Sequence, residues 1–203
     1  MTILPDIPRL YTALAEWLAC LMYIIALRRR FGRTGTILIA GGWLAGLSVF
    51  LQVTGNVPLA WWIPCMAAAV VGMYSLLYLC CSLTAREAGY CCARAFILAE
   101  FAASLEWQIH CLLWPRRGAW EPLPLLLLIV IYAGVYGFVY RFEFRRVRRR
   151  PELGITRRAL SSAVVMALAA FAVSNFAFAQ TGEATMDLFY IRTLVDLAGV
   201  LVL

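Results

Sequence analysis

Six ionisable side chains stand inside stretches otherwise suited to hydrocarbon: Glu16, Glu100, Glu106, His110, Arg192 and Asp196. Such a group costs about 2.5–3.5 kcal/mol at a helix centre, so each is a candidate for ligand sensing, proton relay or signal relay. Glu106 and His110 are four residues apart, one helical turn, and can share a proton or a hydrogen bond. Glu100, Ser104 and Gln108 form a second polar stripe on another side of the same stretch. A helix polar on two sides belongs inside a bundle, touching several neighbours. Polar groups also hold membrane helices together with no further role, and spacing leaves that reading open beside a ligand or proton-linked site. Arg192 and Asp196 share the four-residue spacing. They can neutralise each other within one helix, or each can pair with a carboxylate elsewhere, such as Glu16 or Glu106. An exchange between those pairings would shift the last helix.

The remaining reactive types point to packing. Seven cysteines, an odd number, make no spaced disulfide framework. The adjacent pairs Cys80-Cys81 and Cys91-Cys92 fit poorly the C-x2-4-C spacing of structural zinc. His110 beside Cys111 points about 100° away from it on a helix, too far for a nucleophile and its base. No Walker loop, dinucleotide-binding glycine pattern or H-E-x-x-H occurs. No catalytic residue, metal site or cofactor is expected.

The elements that must position these groups follow from composition. The chain has 203 residues, 64% hydrophobic and 14% charged, with mean hydropathy +0.82. A soluble domain is about 45–50% apolar and about 25% charged, and a small fold has too much surface to hide the excess. Lipid removes the difficulty. A span needs roughly 20 apolar helical residues, and the sequence predicts about seven. They run from about Leu10 to Leu27, Thr36 to Val53, Trp61 to Leu83, Ala95 to Leu113, Pro122 to Tyr140, Ala159 to Phe178, and onward from Leu188. A short loop with Arg86, Glu87 and Arg94 is expected between the third and fourth. Gly42 and Gly46, and Ala133 and Gly137, place small residues four apart, a spacing that permits close helix contact.

The net charge is +7, and all eighteen basic residues are arginine. They gather at span ends rather than along one polar face, which speaks for membrane topology and against nucleic acid. With the N-terminus outside, the inner loops hold fourteen of them: Arg28, Arg29, Arg30, Arg33, Arg86, Arg94, Arg141, Arg145, Arg146, Arg148, Arg149, Arg150, Arg157 and Arg158. Retention of positive charge in short cytoplasmic loops selects this orientation. The first span lacks a basic leader and is expected to be retained. The expected fold is therefore an all-α, polytopic transmembrane bundle, a single domain over residues 1–203, in the cytoplasmic membrane. From Leu188 to Leu203 is 16 residues, about 24 Å of helix and short of a full crossing, so the chain reads as ending within its seventh span.

The fourth span, ARAFILAEFAASLEWQIH (Ala93 to His110), and the last segment, FYIRTLVDLAGVLVL (Phe189 to Leu203), preceded by SNFAF (Ser174 to Phe178), together resemble the N-terminal multi-span region of bacterial sensor histidine kinases with a GHKL-type ATPase domain. The resemblance covers most of the chain and includes no catalytic motif. It implies a membrane-embedded input domain for a small or peptide ligand, homodimeric through the full-length protein. That domain would relay its signal to a cytoplasmic kinase module, absent from this chain, and thence to a response regulator. His110, within a span, is not assigned as a phosphoacceptor. The alternatives are a small transporter or channel subunit using the same buried groups, and a membrane-embedded enzyme resting on His110 and the scattered cysteines.

Overall fold

A computed structural model describes residues 7–55, 57–114, 118–147, 154–181 and 186–202; the side chains of residues 59–60, 143–147 and 174–189 are outside that description. These residues form seven helices: α1 (Arg9–Ala26), α2 (Arg33–Thr54), α3 (Leu59–Cys80), α4 (Ala85–Leu113), α5 (Pro122–Val147), α6 (Arg157–Thr181) and α7 (Met186–Val202). The protein is all-helical among the described residues. Helices α1 to α5 contain stretches long and apolar enough to cross a membrane. The expected spans thus correspond to helices throughout. The arginines at positions 116, 117 and 148–150 lie outside the described residues.

One boundary differs from expectation by ten residues. Helix α4 begins at Ala85, so Arg86, Glu87 and Arg94 are helical and the connection from α3 is only four residues long. The cause is local. Thr84 accepts from the Glu87 backbone N–H (3.4 Å), while the Glu87 carboxylate accepts from the Thr84 N–H (2.9 Å). This reciprocal capping box satisfies two donors that a helix start leaves orphaned. At 29 residues, α4 is about 43 Å long, more than the roughly 30 Å of a hydrocarbon core.

Helix α4 is the hub. It packs against α1, α3, α5, α6 and α7, and seventeen of its residues are buried. Six of those are alanines (Ala88, Ala93, Ala95, Ala99, Ala102 and Ala103), which let neighbouring backbones come close. Gly199 of α7 is part of that fit, since a Cβ there would stand 2.9 Å from Ile97 Cγ2. Helix α2, by contrast, buries only Thr36, Ala40, Leu47 and Leu51, a single stripe. Its Gly42 and Gly46 face outward, as do Ala133 and Gly137 on α5. The small-residue spacings therefore make no close contact among the described residues. The intimate glycine is Gly72 on α3, where a side chain would run into the Trp43 ring.

The α1–α2 and α3–α4 connections are zipped together at one end of the bundle. Arg30 N–H donates to Cys80 O (2.8 Å) and Ser82 N–H to Arg28 O (2.9 Å), an isolated antiparallel bridge between Arg29 and Cys81. Arg30 lies over the Tyr78 ring, 5.2 Å from its centroid, inside the roughly 6 Å reach of a cation–π contact. Cys81, at the bridge, is fully buried, as a small thiol that packs like a hydrophobic group commonly is.

Candidate functional site

The charged residues singled out in the sequence are brought to α4 from two neighbouring helices. Glu16 on α1, Glu100, Glu106 and His110 on α4, and Asp196 on α7 are all buried, at 0–4% exposure. Arg192 of α7 donates to the Glu100 carboxylate at 2.5 Å, with the two side chains 19% and 5% exposed. Ser104 Oγ donates to Asp196 Oδ2 at 3.5 Å. Glu100 and Ser104 thus turn one face of α4 to α7, as the second polar stripe requires. Gln108, next on that stripe, is half-buried, and its Oε1 meets no hydrogen-bond partner among the described residues.

Arg192 keeps an electrostatic interaction with Asp196, its neighbour four positions on, and forms an ion pair between helices, to Glu100. Neither Glu16 nor Glu106 accepts a hydrogen bond from it, nor from any group among the described residues. A guanidinium on a long stem reaches across a helix contact as readily as along its own helix, and here α4 and α7 pack closely enough for it. Glu106 and His110 do share a side of α4, but they make no hydrogen bond. The imidazole instead lies flat on Trp107, with centroids 4.5 Å apart and planes at 6°. Stacking on its neighbour three positions back holds the ring away from the carboxylate.

The first cluster therefore sets two further carboxylates near the Arg192–Glu100 pair. Glu16 and Asp196 each interact electrostatically with Glu100. Both Glu16 oxygens and Asp196 Oδ1 have no hydrogen-bond partner among the described residues. A buried polar atom in that condition costs roughly 1–3 kcal/mol and demands a reason. Among the described residues no three His, Cys, Asp or Glu side chains are placed to hold a metal ion.

A second layer was not singled out in the sequence. Tyr132 and Tyr136 of α5 donate to backbone carbonyls of α1, at Tyr11 O (2.9 Å) and Ala15 O (2.7 Å). The Tyr11 hydroxyl donates in turn to Ala119 O in the loop before α5. Glu106 lies within electrostatic range of Tyr11 and Tyr132, yet both hydroxyls are committed to carbonyls. The available signal was two tyrosines one turn apart in a leucine-rich span, since a phenol buried in hydrocarbon must find an acceptor.

No family model, curated protein or solved structure matches the chain. Fold and site alone define its class: a multi-pass α-helical membrane protein whose central helix carries a buried, partly unsatisfied set of charges.

Proposed function

We propose that this chain is the membrane-embedded input domain of a two-component sensor histidine kinase. Its N-terminus lies outside the cell, its arginine-rich loops lie in the cytoplasm, and α6 and α7 cross the cytoplasmic membrane with the other five. The observation that carries the reading is the Arg192–Glu100 pair, which ties the last helix to the hub. A cue that changes packing around Glu16, Glu100, Glu106, Gln108, His110, Arg192 and Asp196 would bias that tie. Whatever α7 leads to would feel the change. By linkage, the cue acts only as far as it binds the two arrangements unequally. The resemblance of the fourth and last spans supplies the kinase part of the reading, with a homodimer and a response regulator as its partners.

Native membranes carrying the protein from its own gene provide the test. Glu100→Gln is expected to change ATP-dependent phosphorylation of the response regulator several-fold while insertion persists. Unchanged phosphorylation, together with proton or solute flux in reconstituted vesicles that the same substitution alters, would overturn the sensor reading in favour of a transporter or channel subunit. For orientation, Arg145→Cys should resist a membrane-impermeant maleimide in intact cells and react after lysis.

A further inference from the structure

The end of the bundle opposite the Arg29–Cys81 bridge carries the other unsatisfied carboxylate. There the start of α1, the end of α4 and the loop before α5 converge. Tyr11 meets Trp107 edge-on (centroids 6.2 Å, planes at 86°) and Trp120 edge-on (5.4 Å, 83°). Trp107 stacks on His110, and His110 meets the edge of Trp114 at 6.5 Å. Glu106, next to Trp107 in the chain and within electrostatic range of Tyr11, is 0% exposed. Both its oxygens lack a hydrogen-bond partner among the described residues, and it lies within electrostatic range of Tyr11, Tyr132 and Cys111.

We infer that Glu106 and the aromatic shell of Tyr11, Trp107 and Trp120 form a binding site for a methylated ammonium cation of about the size of choline. The inference deepens the sensor reading by naming the class of cue, and as an input site it rests on that reading. The chemistry selects the ligand. Aromatic faces attract a cation through their quadrupoles, and attract a methylated one without demanding hydrogen bonds. A single carboxylate then supplies the counter-charge. A metal ion needs several oxygen or nitrogen ligands that the rings cannot give. A primary ammonium carries three N–H donors needing acceptors, and here the carbonyls of Ala119 and Tyr11 are already taken by tyrosine hydroxyls.

Trp120 is the exposed wall, at 57%. The loop it stands on is tied down by Tyr11 Oη to Ala119 O and by Gly118 N–H to the Glu121 carboxylate (3.3 Å). A cation passing between Trp120 and Tyr11 would displace Ala119 and free the Tyr11 hydroxyl to donate to Glu106. Glu106 lies six residues from Glu100 on the same helix, about 9 Å along its axis, so movement here reaches the pair that holds α7.

The test uses the full chain, purified in detergent free of choline lipids and titrated with choline chloride and with tetramethylammonium chloride. Sodium chloride at equal ionic strength is the reference, and tryptophan fluorescence the readout. A saturable change with both organic salts and none with sodium is expected. Glu106→Gln should abolish it, Glu106→Asp should weaken it, and Trp120→Ala should weaken it about tenfold. Circular dichroism reports whether each variant stays helical, and Glu106→Asp serves if the glutamine variant does not. Vesicles of phosphatidylglycerol with or without phosphatidylcholine separate the two sources of the group. Fluorescence changing only when phosphatidylcholine is present assigns the site to a lipid headgroup, whereas a response to free choline assigns it to a soluble cation. No saturable change in either arm, or binding undiminished in a helical Glu106→Gln protein, overturns the site. Absent binding while Glu100→Gln still alters phosphorylation sinks the site and spares the sensor reading. Binding without any change in phosphorylation does the reverse.

Discussion

Helices α4 and α5 invert the relation between apolarity and burial familiar from water-soluble folds. The most apolar stretch of α5 has mean hydropathy 2.2 and is 22% buried, whereas that of α4 has 1.3 and is 72% buried. Helix α5 buries Pro124, Leu128, Tyr132 and Tyr136, one residue per turn along a single stripe, and presents Leu126, Ile129, Val130 and Phe138 outward. Helix α4 is enclosed on several sides and holds Glu100, Ser104, Glu106 and His110. With lipid as solvent, a leucine gains little from burial, while a carboxylate gains a great deal from any neighbour that can donate to it. Polarity therefore marks the centre of this bundle and apolarity its rim.

The sharpest way to break that contrast is to remove the cation from the hub. Arg192→Ala leaves Glu100 buried without its partner, and should cost about 3–5 kcal/mol by denaturant unfolding in detergent. Glu100→Leu combined with Arg192→Met should recover much of the loss, because the double variant also removes the carboxylate that Arg192 pairs with. Equal instability of the single and double variants would mean that the pair is not the cause.

A smaller effect distinguishes hub from rim by volume alone. Ala102, fully buried on α4, and Ala133, exposed on α5, are the same residue in opposite surroundings. Ala102→Leu should destabilise by about 1–3 kcal/mol through overpacking, while Ala133→Leu should stay within about 0.5 kcal/mol. Similar losses at both would show that the outward face of α5 is covered. Smallest of all, Tyr136→Phe removes the hydroxyl that reaches Ala15 O and should cost about 0.6 kcal/mol, the usual worth of a hydrogen bond between membrane helices. The same substitution at Tyr140, exposed on α5, should be silent in that unfolding assay.

Much of the architecture was legible from the chain alone, and for one reason. Crossing hydrocarbon without water obliges every backbone group to bond locally, so long apolar runs translate directly into helices. The central place of α4 was legible too, because polar residues on two of its sides leave lipid no face to cover. The start of α4 at Ala85 was missed because Arg86, Glu87 and Arg94 look like loop residues when hydropathy alone is counted. The capping box at Thr84 and Glu87 was the contrary signal.

Partner choice was another matter. Spacing brings Arg192 to Asp196 and Glu106 to His110 on paper, since four residues make one turn. Only the tertiary structure could set Arg192 against Glu100, lay His110 on Trp107 and turn the tyrosines of α5 to the carbonyls of α1. Periodicity belongs to a single helix and is written in its order of residues. Which helices meet, and at what depth, depends on side-chain volumes from segments far apart in the chain, and no local pattern contains that sum.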